Sequence, residues 1–232
     1  MELANHLNQV WKTFGLTGAI IAALLTVSCT TDDDDDSATL LAGSALVLVQ
    51  NATSSSSSSS TGCAGSGHCL MFVTNAAVTV TTGIAGLDSQ CQSNASKPSG
   101  GGTYKALIVD GTNRIACTTA NCGGGTAEHT DWVLKPNKEY RRADGTTVIG
   151  TTSANGVFAF PLTNSVDPGS VPTNAMRTGM NNDWTSNAND CTNWSTTGGV
   201  AAGGVNNVTS NALIFIGTSG CTNSDRAVCV EQ

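Results

Sequence analysis

The chain has 232 residues and a formal net charge of −7, from 10 Lys and Arg against 17 Asp and Glu. Only 12% of its residues are charged, about half the usual share, so the polar surface must come from Thr, Ser, Asn and Gly, which favours a β-rich or loop-rich module. A pI near 4.7 excludes nucleic acid as a partner, because phosphate recognition needs clustered Lys and Arg.

From the N-terminus, Leu16–Val27 is an apolar run of 12 residues. A transmembrane helix needs roughly 20, so the run reads as the h-region of a secretory signal. It ends in Leu24-Leu25-Thr26-Val27-Ser28-Cys29, which resembles the relaxed lipobox of spirochaete lipoproteins. That resemblance implies a signal peptide over 1–28 and acylation of Cys29. The protein is then expected in the cell envelope on a lipid anchor, at the outer membrane or cell surface. An ordinary signal peptide would instead leave Cys29 as an odd free thiol, which secreted proteins seldom keep. Asp32–Asp36 is a self-repelling, solvated run. Ala38–Val49 is again too short to span a bilayer, and Ser54–Ser60 is a flexible spacer. Residues 29–62 therefore read as an acidic, Ser-rich tether and 63–232 as one domain. That domain holds nine Lys and Arg against eleven Asp and Glu, so most of the acidity belongs to the tether.

Within the domain, Leu70–Thr74 and Val78–Thr81 read as strands, rich in β-branched and aromatic residues. A short helix is expected from Gly83 to about Ala95, stopped before Pro98. Tyr104–Val109 reads as a strand ending in an Asp110-Gly111 turn. Trp132–Leu134, Glu139–Arg142 and Val157–Pro161 read as further strands, with turns at Asp144-Gly145 and Asn155-Gly156. Ala212–Ile216 and Ala227–Val230 form the final pair. With Cys29 acylated, eight cysteines remain for four bridges in an oxidising compartment, and eight cysteines allow 105 connectivities.

The segments GIAGLDSQC (83–91), YKALIV (104–109), VLKPNKEY (133–140) with DGTTV (144–148), TGM…W…NDCTNW (178–194) and the closing CTNSDRAVCVE (221–231) resemble, in order, the endostatin domain of basement-membrane collagens. The resemblance covers roughly residues 70–232. With the lipobox and the Ser-rich leash, the chain is similar to leptospiral endostatin-like lipoproteins. The resemblance implies an α+β, β-rich, C-type-lectin-like fold with one or two short helices and nested disulfides, Cys91 pairing with Cys229 and Cys191 with Cys221. The remaining cysteines fall into two local pairs, Cys63/Cys69 and Cys117/Cys122, by proximity alone. The implied function is binding of host extracellular-matrix or plasma proteins: laminin, fibronectin, complement factor H and plasminogen. An envelope-structural lipoprotein without host ligand and a calcium-dependent lectin are the alternatives. Neither the arginine-rich heparin face nor the zinc histidines of collagen endostatins have counterparts here.

No cofactor or metal is expected. Cys63, His68 and Cys69 offer zinc-type ligands but no nearby fourth. In Lys135-Pro136-Asn137, Lys135 stands where a lectin needs an oxygen ligand for calcium, and Asp183 falls out of order for that site. No catalytic motif accompanies the domain's two histidines, His68 and His129, so an enzyme is not expected; His129 reads as a solvated loop residue. The candidate binding residues are a small cationic patch, Lys135, Lys138, Arg141 and Arg142, and Trp184. Arg141 and Arg142 point to opposite faces of a strand. Trp184, in the Asn/Asp/Ser-rich run 181–190, is expected to be exposed as a binding anchor, and Trp194 to pack as core beside Cys191.

Overall fold

The computed structural model describes residues 63, 67–100, 102–169 and 175–232. The chain divides into two units, residues 1–53 and 54–232, and every described residue belongs to the second. The signal peptide, Cys29 and the tether over 29–62 lie outside the described residues.

The elements run β1 (Cys69–Val73), α1 (Gly83–Gln92), β2 (Tyr104–Ala106), β3 (Glu139–Arg142), β4 (Val148–Thr151), β5 (Ala175–Arg177), the single turn α2 (Cys191–Trp194), β6 (Val200–Val205), β7 (Gly217–Gly220) and β8 (Val228–Glu231), with 3-10 turns between. This is a strand-rich α+β domain with two small sheets. The larger has the order β2-β8-β1-β3-β4, the smaller β5-β6-β7. In the larger sheet β1 runs parallel to β3, and the other pairs are antiparallel.

Strand alternation explains why this sheet is buried on both faces. Successive side chains point to opposite sides, so Met71, Val73, Val228 and Val230 enter one apolar cluster. Phe72, Tyr104, Ala106 and Cys229 enter the other, with Ile84 and Leu87 of α1. All four residues of β8 are buried. A strand covered on both faces reads as continuous hydrophobicity, which Val228-Cys229-Val230 supplies.

Several apolar segments expected as strands make no ladder. Val78 and Val80 do point inward, but the backbone between them is served by a side chain. Gln90 Oε1 accepts from Thr79 N at 2.7 Å and Gln90 Nε2 donates to Thr79 O at 3.0 Å, as a neighbouring strand would. Trp132–Leu134 is a buried irregular run. In Val157–Pro161 only Phe158 forms a bridge, to Thr152. Ala212–Ile216 begins as a 3-10 turn over Asn211–Leu213, since a short apolar run fits a buried turn as well as a strand. Tyr104–Val109 contributes a ladder only to Ala106, and the helix ends at Gln92 rather than near Ala95.

Four disulfides join Cys63–Cys69, Cys91–Cys229, Cys117–Cys122 and Cys191–Cys221. The second ties α1 to β8 and encloses the last two in sequence. Zinc at Cys63 and Cys69 would need both thiolates, and the disulfide consumes them. The short loop closed by Cys117–Cys122 has a further clasp in Glu128. Its carboxylate accepts from the hydroxyls of Thr119 and Thr118 and from the backbone N–H of Thr118, Thr119 and Gly124. The Thr119 hydroxyl foremost, with these amides and the Thr118 hydroxyl, holds its pKa down at about 2 against the opposing effect of burial.

Candidate functional site

Trp184 is not the exposed anchor its polar surroundings suggest. It is 0% exposed, lies stacked on Phe160 with ring centroids 5.7 Å apart and meets Trp132 edge-on. Its Nε1 donates to Phe158 O at 3.2 Å. The physical reason is local: Trp184 sits at φ 70, in a turn that carries the indole into the core while neighbouring Asn182 stays exposed. Trp184→Phe keeps most of the apolar contact but strands the Phe158 carbonyl. It is expected to lower stability by about 1–2 kcal/mol, measurable by denaturant unfolding.

The cationic quartet is also drawn into the fold. Arg141 Nε lies 2.7 Å from Glu139 Oε1, and its Nη1 donates to Gly145 O. Arg142 donates from Nε and Nη2 to Ser165 O and Oγ. Lys138 is half-buried and Lys135 exposed, in the turn leading to β3. Glu139 thus offsets the charge of Arg141, and Ser165 holds the Arg142 guanidinium in place. His129 is likewise held rather than solvated. Its ring nitrogens lie 2.5 Å from Ala116 O and 3.0 Å from Asn155 O.

What the run 181–190 does build is a polar groove of about 510 Å³, lined by Asp110, Gly111, Ser186, Asn187, Ala188, Asp190, Thr192 and Asn193. One wall is the Asp110-Gly111 turn. Asp110 Oδ1 accepts from the N–H groups of Thr112, Asn113 and Arg114, and Oδ2 accepts from Asn113 Nδ2. Burial favours the neutral acid, but these donors outweigh it and hold the Asp110 pKa below the ordinary carboxylate value. Gly111 is required here: it sits at φ +70, and a Cβ would lie 3.2 Å from the Ser186 Cβ of the facing wall.

The opposite wall is Ser186 to Asn193. Asn187 is braced by Asn181 and Asn189. Asp190 caps the α2 turn, its Oδ1 accepting from Asn193 N at 2.9 Å. The residues from Cys191 to Trp194 all take positive φ, near 54–56, and the turn is clamped by Cys191–Cys221. Trp194, fully buried, donates from Nε1 to Val109 O at 2.9 Å. Val109 immediately precedes Asp110, so this indole ties the two walls together. The groove supplies hydrogen-bond acceptors and hydroxyls, and no Lys or Arg lines it. Among the described residues no cluster of three or more His, Cys, Asp and Glu side chains could hold a metal ion.

Reading the sequence finds Asp110-Gly111 as a turn and 181–190 as polar, but not that the two meet. Long-range contacts bring them together, the Trp194–Val109 hydrogen bond and the pairing of Val109 N with Thr178 O among them. No curated protein matches the chain. Residues 73–211 match the family model described as "Protein of unknown function (DUF1554)". That segment is more than half of the chain and includes α1, the groove, Trp184 and Trp194, so the protein belongs to the DUF1554 family.

Proposed function

We propose that this domain is an endostatin-like, C-type-lectin-like binding module of the cell envelope, anchored through a lipid at Cys29 and carried on the tether over 29–62. It binds host extracellular-matrix or plasma proteins and performs no chemistry on them. The observation that supports this reading best is the preset groove. Cys191–Cys221 and the Trp194–Val109 hydrogen bond fix loop-borne polar groups before a partner arrives, which lowers the ordering cost of association. The resemblance to endostatin-like lipoproteins adds the partner class: laminin, fibronectin, complement factor H and plasminogen. A stable complex needs roughly 1,200–2,000 Å² of buried surface, so the groove would be the centre of a wider contact.

The test is binding of the full chain to each of the four immobilised proteins. Saturable binding to at least one is expected, and no saturable signal on any of them overturns the reading. Protease shaving of intact cells is expected to remove the domain. Protection would favour a structural envelope role, which the Asp32–Asp36 run beside Cys29 supports through its bias toward inner-membrane retention. Glycan binding abolished by EDTA would favour the calcium-dependent lectin.

A further inference from the structure

Asp110 and Asp190 are both buried, at 5% and 6% exposure, and both line the groove. Neither belongs to any ion pair among the described residues. The contrast is Asp225, equally buried, whose Oδ2 lies 3.2 Å from the Arg177 guanidinium. Buried carboxylates are normally paired or saturated with hydrogen bonds. Asp110 is saturated by its own turn. Asp190 is not: Oδ1 serves the cap, and no hydrogen bond reaches Oδ2. Beside it, Ser186 Oγ is closed off from solvent and has no hydrogen-bond partner. Arg114, four residues after Asp110, sends its guanidinium away to Asp88 and Asp131.

We propose that the groove between the Asp110 turn and residues 186–193 receives a cationic side chain of the bound protein, a lysine ammonium or an arginine guanidinium. This rests on the protein-binding reading above and specifies the chemistry of its central contact. A lysine brings three donors and an arginine five, with no acceptor, which suits a site whose open groups are Asp190 Oδ2 and the exposed Thr192 and Asn193 side chains. The negative field of two carboxylates without a resident cation favours the charged group. An inorganic cation fits less well, since calcium takes six to eight oxygens and the four hydrogen bonds of Asp110 already occupy one of the two carboxylates.

The test is NMR titration of the ¹⁵N-labelled full chain with Nα-acetyl-lysine amide and Nα-acetyl-arginine amide, with Nα-acetyl-norleucine amide as the neutral control. The side-chain amides of Asn187 and Asn193 are expected to shift saturably with at least one cationic probe and not with the control. Asp190→Asn is expected to weaken that affinity at least tenfold while keeping the fold, because the asparagine Oδ1 accepts from Asn193 N as the aspartate does. Ala188→Lys places an ammonium at the groove in cis and is expected to abolish probe binding with no loss of stability. No shift with either cation, equal shifts with norleucine, or unchanged affinity in Asp190→Asn overturns the proposal. So do amide shifts produced by calcium chloride alone and reversed by EDTA. Host-protein binding that persists unaltered in Asp190→Asn, without probe shifts, removes this inference and leaves the binding reading standing. Probe shifts without binding to any of the four host proteins do the reverse.

Discussion

Replacing Cys91 and Cys229 together by serine is expected to lower the unfolding free energy by about 3–5 kcal/mol. These cysteines are separated by 138 residues, the longest loop closed by any of the four bridges. In the chain-entropy account a cross-link restricts the unfolded chain more as the loop lengthens. The native side of the balance points the same way. Cys229 sits in the middle of β8, opposite Phe72 of β1 and Ala106 of β2, and Cys91 is a buried residue of α1. Two serine hydroxyls there would enter an apolar cluster without assured partners. Serine at Cys117 and Cys122 is expected to cost less, because that loop closes over a separation of five and Glu128 still holds it. Chemical denaturation of the two double variants checks the ranking. Equal losses would show that the long bridge acts mainly through local packing. The long-bridge variant is also expected to have a larger denaturant m-value, because its unfolded chain is more expanded.

The parts of this fold that can be read in the sequence are those where local pattern and tertiary environment agree. Leu70–Thr74 and Ala227–Val230 are apolar runs rich in β-branched and aromatic residues and lie at the sheet centre, so β1 and β8 fall within a residue of their expected places. Helix α1 carries Ile84, Leu87 and Cys91 on one face and starts where expected. Legibility fails where the sheet needs the absence of a side chain. Strand β6 is Val-Ala-Ala-Gly-Gly-Val, which carries little strand propensity. Yet a Cβ on Gly204 would lie 2.0 Å from Leu213 O, and one on Gly203 2.2 Å from Met176 O, so close packing selects glycine there. Its partner β7, Gly-Thr-Ser-Gly, is hidden by low strand propensity rather than close packing, since a Cβ on Gly217 would meet nothing within 4 Å. In the groove, composition identifies 181–190 as polar but misassigns its tryptophan. Polar neighbours fix where the backbone runs, not which way a side chain at positive φ turns. Asp190 carries no local sign of function, since a capping aspartate looks the same whether or not its second oxygen faces a cavity.

Arg114→Met is expected to destabilise the domain by about 3 kcal/mol and to flatten its stability in acid. The guanidinium is 0% exposed and joins three separate segments. It forms a bidentate pair with Asp88 on α1, donates to Ala106 O on β2, and reaches both the carbonyl and the carboxylate of Asp131. Asp88 Oδ1 also accepts from Ala106 N, so removing the arginine disturbs a helix-to-sheet contact as well as a charge pair. Breaking a buried pair typically costs 3–5 kcal/mol. The lower end applies here because Asp88 and Asp131 keep 19% and 40% exposure, and water can partly replace the lost partner. The pH dependence follows from Asp131. Burial alone would raise its pKa, but hydrogen bonds and charge from Lys105 and Arg114 hold it below the ordinary value. A carboxyl with a depressed folded-state pKa contributes fully above its unfolded value, near pH 4, and loses that contribution as pH falls through the folded one. Wild-type stability is therefore expected to fall on acidification below about pH 4. Arg114→Met is expected to start lower and fall less steeply, because Lys105 alone then holds Asp131 down. Asp110, whose donors are its own turn amides, keeps its depressed pKa in both proteins, so a residual acid slope should survive the substitution. Denaturant unfolding of both chains between pH 2.5 and 7 separates these contributions. Parallel curves would mean that the arginine acts through packing alone.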